Sequence, residues 1–546
     1  MESPNLEAAA VGRRSSSFSI HSADSGPETS CGPESQLRKI RALAWLMARM
    51  EVTRPEVLRA TCAYHAFQSC AAALRGSRGR DFFAKSREVC KIQEFWSHSW
   101  HSSAWAKCLT LLVLKNGRAA ICVGYSCALI GILLFHLHVL PGLHNHLYLS
   151  EDIFERSSVW SSVLGAAGII LTMACWRCKT AVFLDRICIS HTSAELKTEA
   201  ICSLAGILNS SESMLVLWDA SFAERLWCVF EIAAFLKSKQ GREPPLLICP
   251  TLTGPISFAV FAMITIAFIP LLVVPIHEDP ETSSLAHAWH LTAFVTTAVA
   301  GAYACCHFMR GFYRSVEVMQ RQLLCLQIAQ LKCSCCSTGR CRGGEVCDKR
   351  IIAECIAIWF GSAQDFVEYI RTEVVEVITK QLERNAFNLA WSLAITSPSI
   401  WGVFDLMQFH VRTPHPNGYF IMVWFYILLT MLLLCPVLVS WMKFLAYHLR
   451  HESRSRCGEV LTNSLMILYM MPVVVFGMGA YAAGAALVVF YNSMVYIIAV
   501  VVFLVPGWAL MWVLYRRGSG GYLSDFIWQQ RLVKEGPDGG KRQVSL

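Results

Sequence analysis

Apolar positions along this chain come in two lengths. Runs of about 20 residues, the length that crosses a bilayer, occupy Ala119–Leu140, Ser158–Trp176, Pro255–Ile276, Ala286–Met309, Ala386–Met407, Phe420–Phe444, Leu465–Phe490 and Met494–Leu514. The fifth contains Pro398 and Asp405, which would also suit an interfacial or re-entrant segment, but omitting it would place the basic stretch His448–Arg456 outside, so the charge count favours a span. Between the second and third runs the pattern changes. Ala181–Leu184 and Met214–Trp218 are short apolar runs, the length of buried strands. Leu196, Ala200, Leu204, Ile207 and Leu208 fall on one helical face between them. Thr192 with Glu195, and Ser221 with Glu224, have capping-box spacing and predict two helix starts, the second leading into Trp227–Glu231. Strand, helix, strand, helix at this spacing predicts a parallel α/β layer.

The long runs make the chain an α-helical multi-pass membrane protein of about eight spans, arranged as hairpins 119–176, 255–309, 386–444 and 465–514. Composition agrees: 54% of the residues are hydrophobic and the mean hydropathy is +0.43. With the N-terminus inside, the basic residues gather on the inner side and leave only Arg156 and Arg412 in outer loops. Both termini are then cytosolic. The net charge of +9 reflects basic loops at a bilayer rather than a nucleic-acid partner. The 24 cysteines are scattered through apolar runs and basic loops, which suits reduced thiols and not a disulfide framework. Residues 1–36 read as a disordered tail, in which Arg13-Arg14-Ser15-Ser16-Ser17-Phe18 fits a kinase site or a plain solvated stretch. Residues 37–92 read as a helical lead-in and 515–546 as an inner tail.

Four short motifs then stand in order: Phe95-Trp-Ser-His-Ser99, Ala181–Asp185, Met214–Trp218 and Trp227-Cys228-Val229-Phe230-Glu231. This set resembles the TIR (Toll/interleukin-1 receptor) family, in which a first strand of F-(I/L)-S-(H/Y)-S type, an acidic strand end, a buried apolar strand and W-C-x-x-E follow one another. A fourth strand falls at Leu246–Cys249. The resemblance implies a parallel-sheet module split by the first membrane hairpin into 93–117 and 177–250. It departs from the family in that insertion and in the loop Arg186–Thr192, which lacks the usual glycine. Enzymatic members of the family cleave NAD with the glutamate of W-C-x-x-E. The resemblance therefore implies Glu231 as a catalytic carboxylate, with Ser97, Asp185 and Trp227 lining a pocket for NAD as substrate. Other members only assemble with one another, which implies self-association.

The segment 310–385 carries Cys333, Cys335, Cys336, Cys341 and Cys347, enough thiols for a zinc site. Acylation near a membrane and plain free thiols are the competing readings. Phe366, Ile370, Val374, Ile378 and Leu382 recur every fourth residue, an amphipathic helix that docks on the module or on the inner leaflet. Three function classes follow: a membrane-tethered signalling or assembly module, a membrane-anchored NAD-cleaving hydrolase, and a channel or transporter regulated by its cytosolic part.

Overall fold

The computed structural model describes residues 33–75, 81–145, 155–240, 245–272, 280–333, 336, 347–385, 387–411, 419–490, 505–506 and 509. The Arg13–Phe18 motif, Cys335, Cys341 and nearly all of the run Met494–Leu514 lie outside them. Chain order begins with helix α1 (Pro33–Ala48) and strands β1 (Arg59–Cys62), β2 (Arg87–Glu88) and β3 (Ile92–His98). Helix α2 (Ala104–His136), a small antiparallel pair β4 (Leu143–Asn145) and β5 (Glu155–Ser157), and helix α3 (Trp160–Cys175) follow. The chain then runs through β6 (Ala181–Phe183), α4 (Ala194–Cys202), α5 (Leu204–Asn209), β7 (Ser211–Trp218), α6 (Leu226–Ser238) and β8 (Leu246–Pro250).

Six of these strands form one sheet in the order β2-β1-β6-β3-β7-β8. The four from β6 to β8 are parallel, whereas β1 pairs antiparallel with both β6 and β2. The sheet is therefore mixed, and the expectation of a purely parallel layer is corrected by the lead-in: part of 37–92 is strand. Nothing in Arg59-Ala-Thr-Cys62 or Arg87-Glu88 alternates or runs apolar long enough to announce it. The central strands are near-continuous apolar runs because both faces are covered; Val182, Phe183 and Met214 to Trp218 are fully buried. The sequence pieces 93–117 and 177–250 pair directly, β3 lying between β6 and β7.

The remaining helices are α7 (Thr253–Leu272), α8 (Pro280–Leu324), α9 (Asp348–Phe360), α10 (Ala363–Tyr369), α11 (Val375–Asn385), α12 (Leu389–Ile395), α13 (Ser397–Val411), α14 (Tyr419–His448) and α15 (Arg456–Phe490). They do not fit an eight-span protein. Among the described residues only Ala104–His136 and Arg456–Val475 are long and apolar enough to cross a membrane. The run Ser158–Trp176 gives a helix of 16 residues, about 24 Å at 1.5 Å per residue, short of a hydrocarbon core of about 30 Å. The run Ala386–Met407 is broken into α12 and α13. Elsewhere apolar side chains are spent on protein contacts: Cys306, Met309 and Phe312 of α8 and Met442, Leu445 and Ala446 of α14 belong to the main core. Hydropathy alone does not separate burial in protein from burial in lipid.

The first half of α2 is a helix of the module, with Cys108 and Leu111 in its core. Its second half packs on α3, where glycines allow close approach: a Cβ on Gly124 would lie 2.6 Å from Ile169 of α3, and on the side facing α13 a Cβ on Gly165 would lie 2.7 Å from the Trp401 ring. Asp405, read from sequence as an isolated charge in a span, caps α3. Its carboxylate accepts from the Ser158 hydroxyl at 2.9 Å and from the backbone N–H of Ser161 and Ser162 at 2.8 and 2.9 Å, where the helix leaves its first donors unpaired. On the outer faces Leu129, Ile130 and Leu133 of α2 and Leu461, Leu468 and Val475 of α15 are exposed, an extent of apolar surface that asks for lipid or a partner.

Residues 348–385 pack on the module. α9 meets α1 and α6: Trp359 donates to the Ala48 carbonyl at 3.0 Å, and its ring lies 5.5 Å from Phe230. Phe366, Ile370, Val374, Ile378 and Leu382 are all buried. A spacing of four drifts off a 3.6-residue helix face, and a π-helical turn at Ile370–Val374 restores the register.

Candidate functional site

In the parallel part of the sheet β3 comes first, β6 lies on one side of it and β7 on the other. The strand order therefore reverses at β3 in flavodoxin-like order, and the carboxyl ends of the strands at such a reversal are where open α/β sheets bind ligands. The polar residues of the module gather there. β3 ends in Ser97 and His98 and runs into Ser99 and Trp100; β6 leads into Asp185; β7 leads into Asp219 and Ser221. α2 brings Lys107 and α6 brings Cys228 and Glu231.

The Ser97 hydroxyl donates to the Glu231 carboxylate, joining the first strand to the W-C-x-x-E helix. Glu231 keeps a little exposure at its edge, yet burial pushes its carboxyl up to about 8; the negative charge of Asp185 adds to this and the Ser97 bond opposes it. Burial also raises Asp185, against hydrogen bonds from the Trp100 indole at 2.9 Å and the Arg186 N–H at 2.7 Å. Ser99 and Ser221 share a hydrogen bond of 2.7 Å, and Ser221 also donates to Asp219 at 2.8 Å. Lys107 is completely buried. Its ammonium donates to the Ser99 carbonyl at 3.0 Å, lies 5.6 Å from the Trp100 ring, and has Asp185 and Asp219 as electrostatic partners. His98 is buried, and desolvation together with the Lys107 charge holds it down to about 3, so its ring is neutral. Burial holds the Cys228 thiol well above its ordinary range, which keeps it protonated and unreactive. Among the described residues, His98 Nε2 and Asp219 Oδ1 are buried without a hydrogen-bond partner.

Of the residues picked out from sequence, Ser97, Asp185 and Glu231 thus come together. Trp227 is half-buried with its ring edge-on to Phe230 at 5.6 Å, a packing contact of α6. Lys107, Trp100, Asp219 and His98 were missed. Lys107 reads as an ordinary polar position ahead of a long apolar run, and nothing in its spacing marks it. Neither capping box forms as spaced. Ser193, one residue after Thr192, caps α4 through the Leu196 N–H at 3.3 Å. Ser221 serves the cluster instead, and Glu224 pairs with Lys332.

A cavity of about 810 Å³ lies elsewhere, lined by Leu112, Ile121, Ile169, Met173, Phe258 and Trp391. It carries none of this chemistry. Cys333, Cys336 and Cys347 form a second group, their sulfurs all within 4.8 Å of one another. Comparison with protein families, curated proteins and solved structures finds no match to the chain.

Proposed function

We propose that the chain is a membrane-associated signalling protein whose split α/β module, TIR-like in its motifs, acts by assembling with other copies on the cytosolic side. The observation that carries this reading is the state of Glu231. The carboxyl that the resemblance makes catalytic is held by Ser97 and favours its neutral form at pH 7. Bound to Ser97 and shifted towards its protonated form, the carboxyl closes the contact between β3 and α6 and does not stand free beside a reacting centre. Two helices long and apolar enough to cross a membrane, and exposed leucines on both, support the membrane association. Among the described residues no two cysteines form a disulfide, in keeping with a reducing compartment.

A second reading, NAD cleavage, draws support from the position of the cluster at the order reversal, where open α/β sheets bind ligands, and from the unpartnered Asp219 Oδ1.

Cross-linking of the full-length protein in vesicles tests assembly. The expected result is dimers and larger species that rise with protein density and persist when lipid is diluted by a second, inert membrane protein. A chain that stays monomeric at every density, with its fold intact, overturns the proposal.

A further inference from the structure

The segment between α8 and α9 is fastened to the module at both ends. Lys332 forms a parallel backbone bridge with Arg225: its N–H donates to the Glu224 carbonyl at 2.7 Å, and its carbonyl accepts from the Leu226 N–H at 3.3 Å. This contact sits at the start of α6, the helix that carries Glu231. Cys333 comes next and is buried. At the other end Cys347 directly precedes α9, whose Trp359 packs on Phe230 of α6. Cys336 completes the group from the solvent side.

The three sulfurs have the spacing of metal ligands. A tetrahedral zinc–thiolate centre with bonds of about 2.3 Å places its sulfurs about 3.8 Å apart. Cys336 and Cys347 stand at 3.5 Å, and all three lie within 4.8 Å. A disulfide would require about 2.05 Å. Acylation does not suit the group, because Cys333 is 4% exposed and its sulfur faces the other two rather than a bilayer.

We propose that Cys333, Cys336 and Cys347 bind one zinc ion that closes the α8–α9 connection on itself, next to the Lys332 bridge that holds it at the start of α6. Three sulfur–zinc bonds form, the three thiol protons go to solvent, and the fourth coordination position is filled by a further donor. Binding converts the connection between residues 333 and 347 into a closed loop, so the metal adds directly to the stability of the folded module. This holds whether the module assembles or turns over a substrate.

The test is the metal content of full-length protein purified in detergent without chelators. The wild type is expected to hold about one zinc per chain, and Cys325→Ser, an exposed cysteine outside the group, to keep it. Cys336→Ser is expected to lower zinc at least tenfold. Because Cys336 is exposed, its replacement leaves the core intact. Cobalt exchanged into the wild type is expected to give a thiolate-to-metal charge-transfer band that Cys336→Ser abolishes. A wild type with neither zinc nor that band overturns the proposal. So does zinc retained by Cys336→Ser, and so does a hydroxylamine-labile acyl group on Cys336.

Discussion

Replacing Arg310 with methionine is expected to destabilise the protein by about 3–5 kcal/mol, the largest loss foreseen for a single side chain outside the apolar core. Arg310 lies on α8 and is 1% exposed. Its guanidinium donates to the Leu449 carbonyl at 2.6 Å, the His451 carbonyl at 2.9 Å, and Glu459 and Asn463 at 2.8 Å each. One side chain thereby ties α8 to the turn between α14 and α15. Arg314 also binds Glu459, at 2.8 and 2.9 Å, and Arg450 binds Glu317 at 2.8 Å. Methionine fills the volume but removes the donors to the Leu449 carbonyl and to the buried Asn463 amide oxygen, while the His451 carbonyl keeps only Arg314 at 3.4 Å. Lysine recovers little, since one ammonium does not span four acceptors in a plane. Thermal unfolding of wild type and both variants in one detergent measures this; a loss under about 1 kcal/mol would show that the network is dispensable.

Glu231→Gln is expected to change how stability depends on pH. The ordinary glutamate value is 4.5 and the folded value is about 8. Between these values the folded state holds a proton that the unfolded state has released, so wild-type stability falls as pH rises from about 4.5 to 8 and levels off above. Glutamine keeps the Ser97 hydrogen bond and carries no such dependence. The variant should therefore gain on the wild type from pH 5 to pH 9 by on the order of 3 kcal/mol, allowing for the partial exposure of the residue. His98 acts in the opposite direction and in a different window. Its folded value near 3 lies below the ordinary 6.5, so it stabilises above pH 6.5 and loses this as pH falls towards 3; it cancels in the comparison of the two proteins. A stability difference that stays constant with pH would mean that Glu231 ionises normally.

The strands of the module were legible because a strand covered on both faces must be apolar throughout, and Met214–Trp218 and Leu246–Cys249 announce themselves that way. Their pairing across the long insertion was legible only through the resemblance of Phe95–Ser99 and Trp227–Glu231 to a known pattern. The two edge strands were not legible. Arg59–Cys62 and Arg87–Glu88 are short and polar, and their place is set by β6 rather than by their own residues. The spans were misread for a related reason. Trp401, Met309 and Leu445 are as apolar as any lipid-facing residue, but they are buried by glycines, aromatic rings and neighbouring helices of the same chain. The site was half legible. Carboxylates at strand ends can be guessed from strand boundaries, whereas Lys107 enters from a helix whose path depends on the whole fold.

The measurement that bears most directly on the central claim is NAD consumption at pH 7 by the purified full-length protein, beside Glu231→Ala. A carboxyl held neutral by burial and bound to Ser97 predicts no turnover above the mutant's background while the protein remains folded. Turnover in the wild type that disappears in Glu231→Ala would contradict the account and make the cluster a catalytic centre.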